Sequence, residues 1–298
     1  MKFLDAHHHF WNLDRNYHPW LCDAPLIPFR YGDYSQLKNN YLTSDYAKDT
    51  AELDIIGSVH IEAEWDSDDP LAESRWLSSL TNSCNHPVVF VAQARLDRSD
   101  VEDILIGHSQ FEQVRGIRHK PKSSTKETAA QHRGVSGSMD DPEWRDGYAL
   151  LERFGYSFDL QIPYWHLDQA AELASDFPNI QMIINHAGLP IGRSDSSIRE
   201  WRKAIKQVAD HHNVTVKLSG LGQPNQPWSV QSNREVVLSA IDIFGTDRCM
   251  FASNFPVDRL CADFNRIVFG YREIVDHLPD DIIDNLFYKN AARIYRFT

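Results

Sequence analysis

Leu4-Asp5-Ala6-His7-His8-His9-Phe10-Trp11 is a short apolar run that ends in three histidines and two aromatics. It reads as a first strand. Side chains alternate between the faces of a strand, so His7 and His9 point one way and His8 the other. Two imidazoles on one face at a strand end can bind a metal, polarise a carbonyl or move protons. The plain alternative is three surface histidines, and Phe10 and Trp11 directly behind them argue against it. A site here requires partners from far along the chain.

Residues 12–46 are too long for a simple connection and too aromatic for a disordered linker, with Pro19, Trp20, Pro25 and Pro28 among them. They are a candidate pocket wall. Further strand-like runs follow at 56–63, 88–94, 114–118, 157–162, 181–185, 214–218 and 249–253. Helical patterns separate them. Pro70 opens one, with Asp68 or Asp69 as its cap and Trp76, Leu77 and Leu80 on its buried face. Val101, Ile104 and Leu105 mark the next. Asp141 caps a third, with Pro142 in its first turn, Trp144, Tyr148 and Leu151 on one side and Gly155 as its stop. Residues 167–176 form another, Ile198, Trp201, Ile205 and Val208 recur at helical spacing, and 233–244, 261–277 and 280–295 are helical. Residues 120–140, polar and rich in Ser, Thr and Gly, are the best candidate for a mobile loop.

Eight apolar strands alternating with helices imply a parallel sheet covered on both sides. Eight such units in 298 residues favour one closed (β/α)8 barrel over an open sheet, and a single domain spanning 1–298. The ionisable residues gather just after the strands, at the end where such barrels carry their active sites. His7, His9, Glu62, Glu64, Arg118, Gln161, His186, Lys217, Asn254 and Asp258 would then surround one mouth, with His7 within about one helix diameter (roughly 10 Å) of His186. His60, His119 and His166 fall near the same rim, and His8 should face away.

A net charge of −12 argues against sequence-independent nucleic-acid binding and against an anionic membrane surface. No apolar run has transmembrane length, and the first residues lack a signal-peptide pattern. Cys22, Cys84, Cys249 and Cys261 are scattered without C-x-x-C spacing, which fits a reducing cytoplasm.

Asp5-Ala6-His7-His8-His9-Phe10-Trp11, Gly116-Ile117-Arg118, Asn185-His186-Ala187-Gly188, Lys217-Leu218-Ser219-Gly220, Phe251-Ala252-Ser253-Asn254-Phe255-Pro256 and Asn290-Ala291-Ala292-Arg293-Ile294-Tyr295 occur in this order. Together they resemble the amidohydrolase superfamily. The branch they are most similar to is the amidohydrolase-related group of sugar lactonases, L-fuconolactonase among them, and of 2-pyrone-4,6-dicarboxylate lactonase. The resemblance implies a (β/α)8 barrel. In many members the H-x-H pair, later histidines and an aspartate after strand 8 hold divalent metal. In the lactonase branch, where a metal is often dispensable, histidines and an arginine polarise the lactone carbonyl and the strand-8 aspartate activates water. His7, His9, Arg118 and His186 match that pattern. Position 254 departs from it: Asn254 stands where the aspartate belongs, and an amide is neither a useful base nor a good metal ligand.

The expectation is a hydrolase that opens a lactone, with sugar acids in lactone form as the expected substrates. His7, His9, His186 and Arg118 would stabilise the oxyanion. Asp258, four residues beyond Asn254, is the simplest replacement base; its structural alternative is a helix cap before Leu260. Trp20, Glu62, Glu64, Gln161, Lys217 and Asn254 are expected to contact substrate, the two glutamates doubling as alternative bases and Lys217 as an ion-pair former. No cofactor is required, or one weakly bound divalent ion such as zinc on His7, His9 and His186. The partner is a small molecule, with a homo-oligomer compatible. The rival readings are a metal-dependent amidohydrolase or decarboxylase of the same superfamily, and an inactive barrel that binds a sugar acid.

Overall fold

The computed structural model describes residues 1–297. Its eight strands are β1 (Lys2–His8), β2 (Asp54–Ile61), β3 (Val88–Gln93), β4 (Val114–Arg118), β5 (Ser157–Leu160), β6 (Met182–Ile184), β7 (Val214–Leu218) and β8 (Cys249–Phe251). They lie in sequence order in one sheet, and every neighbouring pair is parallel. The ring closes where the chain beyond β8 returns to β1: Asn254 N donates to His7 O at 2.7 Å and His9 N to Phe255 O at 2.7 Å. Asp5 reinforces the seam by accepting from Ser253 N at 2.8 Å and Ser253 Oγ at 2.6 Å. This is the (β/α)8 barrel that the alternation predicts.

Local signals account for the helices. Asp141 accepts from Glu143 N at the start of Pro142–Phe154, Gly155 ends that helix at φ 64, and Trp144, Tyr148 and Leu151 are buried. Each such side chain contributes roughly 1.5–3 kcal/mol by leaving water. Ser194 caps Asp195–Ala209 in the same way, and Ile198, Trp201, Ile205 and Val208 face inward. Other boundaries moved. The helix expected from Pro70 begins at Ala72 with no side-chain cap. The helix expected from Asn233 begins three residues earlier, at Val230, because Ser229 caps it. Residues 120–140 are not a free loop. They contain a 3-10 segment, Lys126–His132, and are tied down by Arg133 to Asp168 and Glu172 and by Ser124 N to His166 Nε2.

The interior of the barrel holds Leu4, Ala6, Val59, Ile61, Val89, Val91, Ile183, Met250 and Ala252, and at one end the C-terminal Ile294 and Tyr295 join this cluster. With Leu4 and Ala6 inward, strict alternation would turn His8 into the barrel. Instead the β1–β2 register slips between Asp5 and His8, where three steps on β1 oppose two on β2. This bulge reverses the phase of the strand. His7 and His9 therefore point to the mouth, while His8 faces outward, its Nε2 3.0 Å from Ser58 Oγ and its ring against Phe10 and Tyr46.

Candidate active site

Three imidazoles meet at the mouth. The His7 ring centroid is 5.0 Å from that of His9 and 4.7 Å from that of His186. His186 reaches this place through a left-handed backbone, φ 55, just after β6, and Asn254 turns in the same way, φ 56, just after β8. Conformations of this kind cost energy for residues other than glycine and cluster at functional sites.

Hydrogen-bond chemistry assigns the protons. His9 Nδ1 lies 2.8 Å from Ile61 O. A carbonyl only accepts, so Nδ1 carries the hydrogen and Nε2 is left with its lone pair. His7 Nδ1 lies 3.5 Å from Lys217 Nζ. An ammonium only donates, so the hydrogen of His7 is on Nε2, a buried atom with no protein partner among the described residues. His186 Nδ1 pairs with Ser219 Oγ at 2.9 Å. Burial first, then the cations nearest each ring, lower all three imidazole pKa values well below 6.5; those cations are Lys217 for His7, Arg118 for His9 and Arg30 for His186. The rings are neutral at physiological pH.

Arg118 ends β4 beside them. Its Nε donates to Glu62 Oε1 at 2.5 Å, Nη2 to the Glu62 carbonyl and Nη1 to Gln161 Oε1 at 3.3 Å. The guanidinium is thus oriented on two sides and keeps donors for a ligand. Above the cluster opens a cavity of about 250 Å³, whose lining includes His9, Trp20, Arg30, Arg118, Lys120, Gln161, His186 and Asn254.

Not every residue read as a site member lines this cavity: His7 is fully buried and is not part of the lining, though its ring packs against those of His9 and His186. Glu62 is spent on Arg118. Glu64 leaves the strand in a left-handed turn, φ 55, pairs with Lys120 and lines a neighbouring cavity, so the two glutamates part company. Lys217 is fully buried inside the barrel, where its Nζ meets Asp159 Oδ1 at 2.5 Å, and Tyr295 Oη donates to both oxygens of Asp159. It supports His7 from below and is no substrate contact. Burial lowers the Lys217 pKa to about 8 against the pull of Asp159. Asp258 sits behind Asn254, whose Nδ2 donates to its Oδ1 at 2.6 Å; Tyr31 Oη donates to the same oxygen at 3.0 Å, and Oδ2 has no partner among the described residues. It lies in the 3-10 segment Val257–Leu260, and the next helix is capped by Asp263 instead. Burial raises the Asp258 pKa to about 6, opposed by Arg30.

The rim histidines turn out to be structural. His60 Nδ1 accepts from Phe10 N and its Nε2 donates to Glu73. His119 accepts from Trp144 Nε1 and Leu96 N, and His166 from Ser124 N. Conversely, Arg30, Lys120 and Ser219 join the site without having been singled out. Arg30 and Lys120 lie in the two connections read as pocket wall and mobile loop, and Ser219 follows Lys217-Leu218 in a quoted motif. No residue-level signal distinguished them.

The family model described as Amidohydrolase matches residues 4–297. The chain belongs to the amidohydrolase family. That places this amidohydrolase among the hydrolases. It is 38% identical over 296 residues to the uncharacterized protein y4mH of Sinorhizobium fredii, covering 99% of each chain. It is 25% identical to an L-fucono-1,5-lactonase of Burkholderia ambifaria, over 98% of this chain and 95% of that one. Its fold is also that of a crystallised amidohydrolase from Burkholderia multivorans, with TM-score 0.82, 21% identity and full coverage of both chains; one crystal form of that protein holds HEPES and another zinc.

Members of this superfamily often hold a divalent metal, and the residues here do not fit one. A zinc site takes at least three protein ligands, yet His7 presents an N–H rather than a lone pair, Asn254 supplies no charge, and Arg118 adds a cation beside His9. Among the described residues no group of three His, Cys, Asp or Glu side chains converges as a metal site. No helix among the described residues is long and apolar enough to cross a membrane.

Proposed function

We propose that this hydrolase opens a lactone ring by attack of water on the ester carbonyl, with a sugar acid lactone as the model substrate. The observation that carries the reading is the presence of two donors, the His7 Nε2–H and an oriented Arg118, together with a buried carboxylate, Asp258, held directly behind Asn254. His7 Nε2–H and Arg118 polarise the carbonyl and receive the developing oxyanion in a place sheltered from water, where fixed donors act most strongly. His9 Nε2, an acceptor, orients the water or a ring hydroxyl. Asn254 and His186 hold the substrate between them. Asp258, which lies behind Asn254 and outside the cavity lining, takes the proton of the attacking water by way of one bridging water at its unpartnered Oδ2; a carboxylate of pKa about 6 is well matched to that task near neutral pH. The proton is later returned to the alkoxide that leaves when the ring ester bond breaks.

Lactone opening releases a proton at neutral pH, so a pH-indicator assay over a panel of aldonolactones, L-fucono-1,5-lactone included, tests the reading. Turnover with kcat/KM above roughly 10⁴ M⁻¹s⁻¹, the lower range for enzymes acting on their own substrates, supports it. No turnover across the panel, with or without added zinc, refutes it.

A further inference from the structure

A second cavity, also of about 250 Å³, adjoins the catalytic one and shares Arg30 and Leu189 with it. We propose that this cavity receives an aliphatic arm of the substrate, so that the preferred lactone carries an apolar substituent; the lactone part of this statement rests on the reading above. Its walls are Leu189, Pro190, Ile191, Pro224 and the ring of Tyr31. Ile191 remains 57% exposed at the rim, a large aliphatic side chain with nothing over it.

Two of the polar side chains along these walls, Arg193 and Tyr31, are spent. The Arg193 guanidinium is bound to the Pro190, Leu221 and Ser232 carbonyls and to Asn233 Oδ1. Tyr31 Oη is committed to Asp258. A hydroxylated arm could recover one bond, from Gln223, against the several it gives up to water, whereas an alkyl arm gains by leaving water. Two groups are exceptions: the Gln223 side chain, whose Nε2 is buried without a partner among the described residues, and Arg30, which stands at the junction. Its guanidinium lies 4.6 Å over the Tyr31 ring and 4.0 Å from Asp258 Oδ1, and among the described residues it makes no side-chain hydrogen bond. Those free donors suit the polar group that would join ring to arm. Gly220 keeps the junction open. A Cβ there would come within 2.5 Å of His186 Nδ1 and 2.6 Å of Arg30 Nη2, and its φ of +60 disfavours other residues.

Straight-chain carboxylates from acetate to decanoate are the binding probes, their carboxylate taken by Arg30. Calorimetric titration should show affinity rising about two- to fourfold per methylene from hexanoate onward, the scale of methylene burial. Ile191→Asp, at an exposed position, should weaken decanoate at least tenfold and leave acetate unchanged. In parallel, a series of δ-lactones differing only in alkyl length should show the same trend in kcat/KM. Affinity that is flat with chain length, or a decanoate affinity indifferent to Ile191→Asp, overturns the assignment. Chain-length-dependent binding with no lactone opened upholds the cavity assignment and refutes the lactone reading; lactone opening that ignores chain length does the reverse.

Discussion

Asp258→Asn separates chemistry from stability at the site. The replacement keeps an oxygen to accept from Asn254 Nδ2 and Tyr31 Oη, and places an NH2 where Oδ2 now has no partner. What it removes is the titratable group. If Asp258 is the base, kcat should fall by roughly 10²–10⁴, and the loss of wild-type activity below pH about 6 should disappear from the residual rate. Stability should move the other way. The folded pKa of about 6 lies above the ordinary 3.8. Stability from this group is therefore full below the unfolded pKa and is lost as pH rises through about 6. The ionised carboxylate then costs about 3 kcal/mol at pH 8. Asp258→Asn removes that cost, so its urea midpoint should exceed the wild type's at pH 8, and the gap should close by pH 4. The assays are denaturant titrations at pH 4 and pH 8 beside pH-indicator kinetics on one preparation. A variant with near-wild-type kcat and an intact acid limb would refute Asp258 as the base. A variant less stable at pH 8 would refute the account of its burial.

Further outcomes test the support around it. Lys217→Met leaves Asp159 buried without its cation and should lower stability by about 3–5 kcal/mol, much of it restored by adding Asp159→Asn; urea unfolding of the wild type and the two variants checks this. Wild-type kcat/KM should also decline as pH rises through about 8, where Lys217 gives up the proton that holds the His7 tautomer, and a pH–rate profile without an alkaline limb would contradict that role. Arg118→Lys cannot keep both the Glu62 and the Gln161 contact, so kcat/KM should fall about 10²–10³-fold with little change in fold by circular dichroism. Dialysis against a chelator should leave activity within about twofold of the starting value, and a stoichiometric zinc that survives dialysis and is needed for turnover would show that the donor set has been misjudged.

Much of this molecule is legible in its sequence, because the deciding signals are local. The strand–helix alternation, the Asp141 and Gly155 signals and the spacing of Ile198, Trp201, Ile205 and Val208 depend only on neighbours along the chain. A parallel barrel then carries its chemistry on one end, so Arg118, His186 and Asn254 could be placed at one mouth from the strand ends alone. What the sequence leaves open depends on contacts between distant residues. Alternation along β1 puts His7 and His9 on one face and His8 on the other, but only a one-residue slip of β1 against β2 lets that face meet the mouth while Leu4 and Ala6 fill the interior. Lys217, Asp159 and Tyr295 come from three separate parts of the chain, and only their packing turns a lysine that looks like a substrate contact into a buried support for His7. Asp258 and Asn254 lie four residues apart in sequence, but Tyr31 and Arg30, which face Asp258 and oppose the rise that its burial causes, come from more than 220 residues earlier. A side chain's type is written in the sequence; its solvation and its partners, which set its pKa and its role, exist only once the barrel has closed around it.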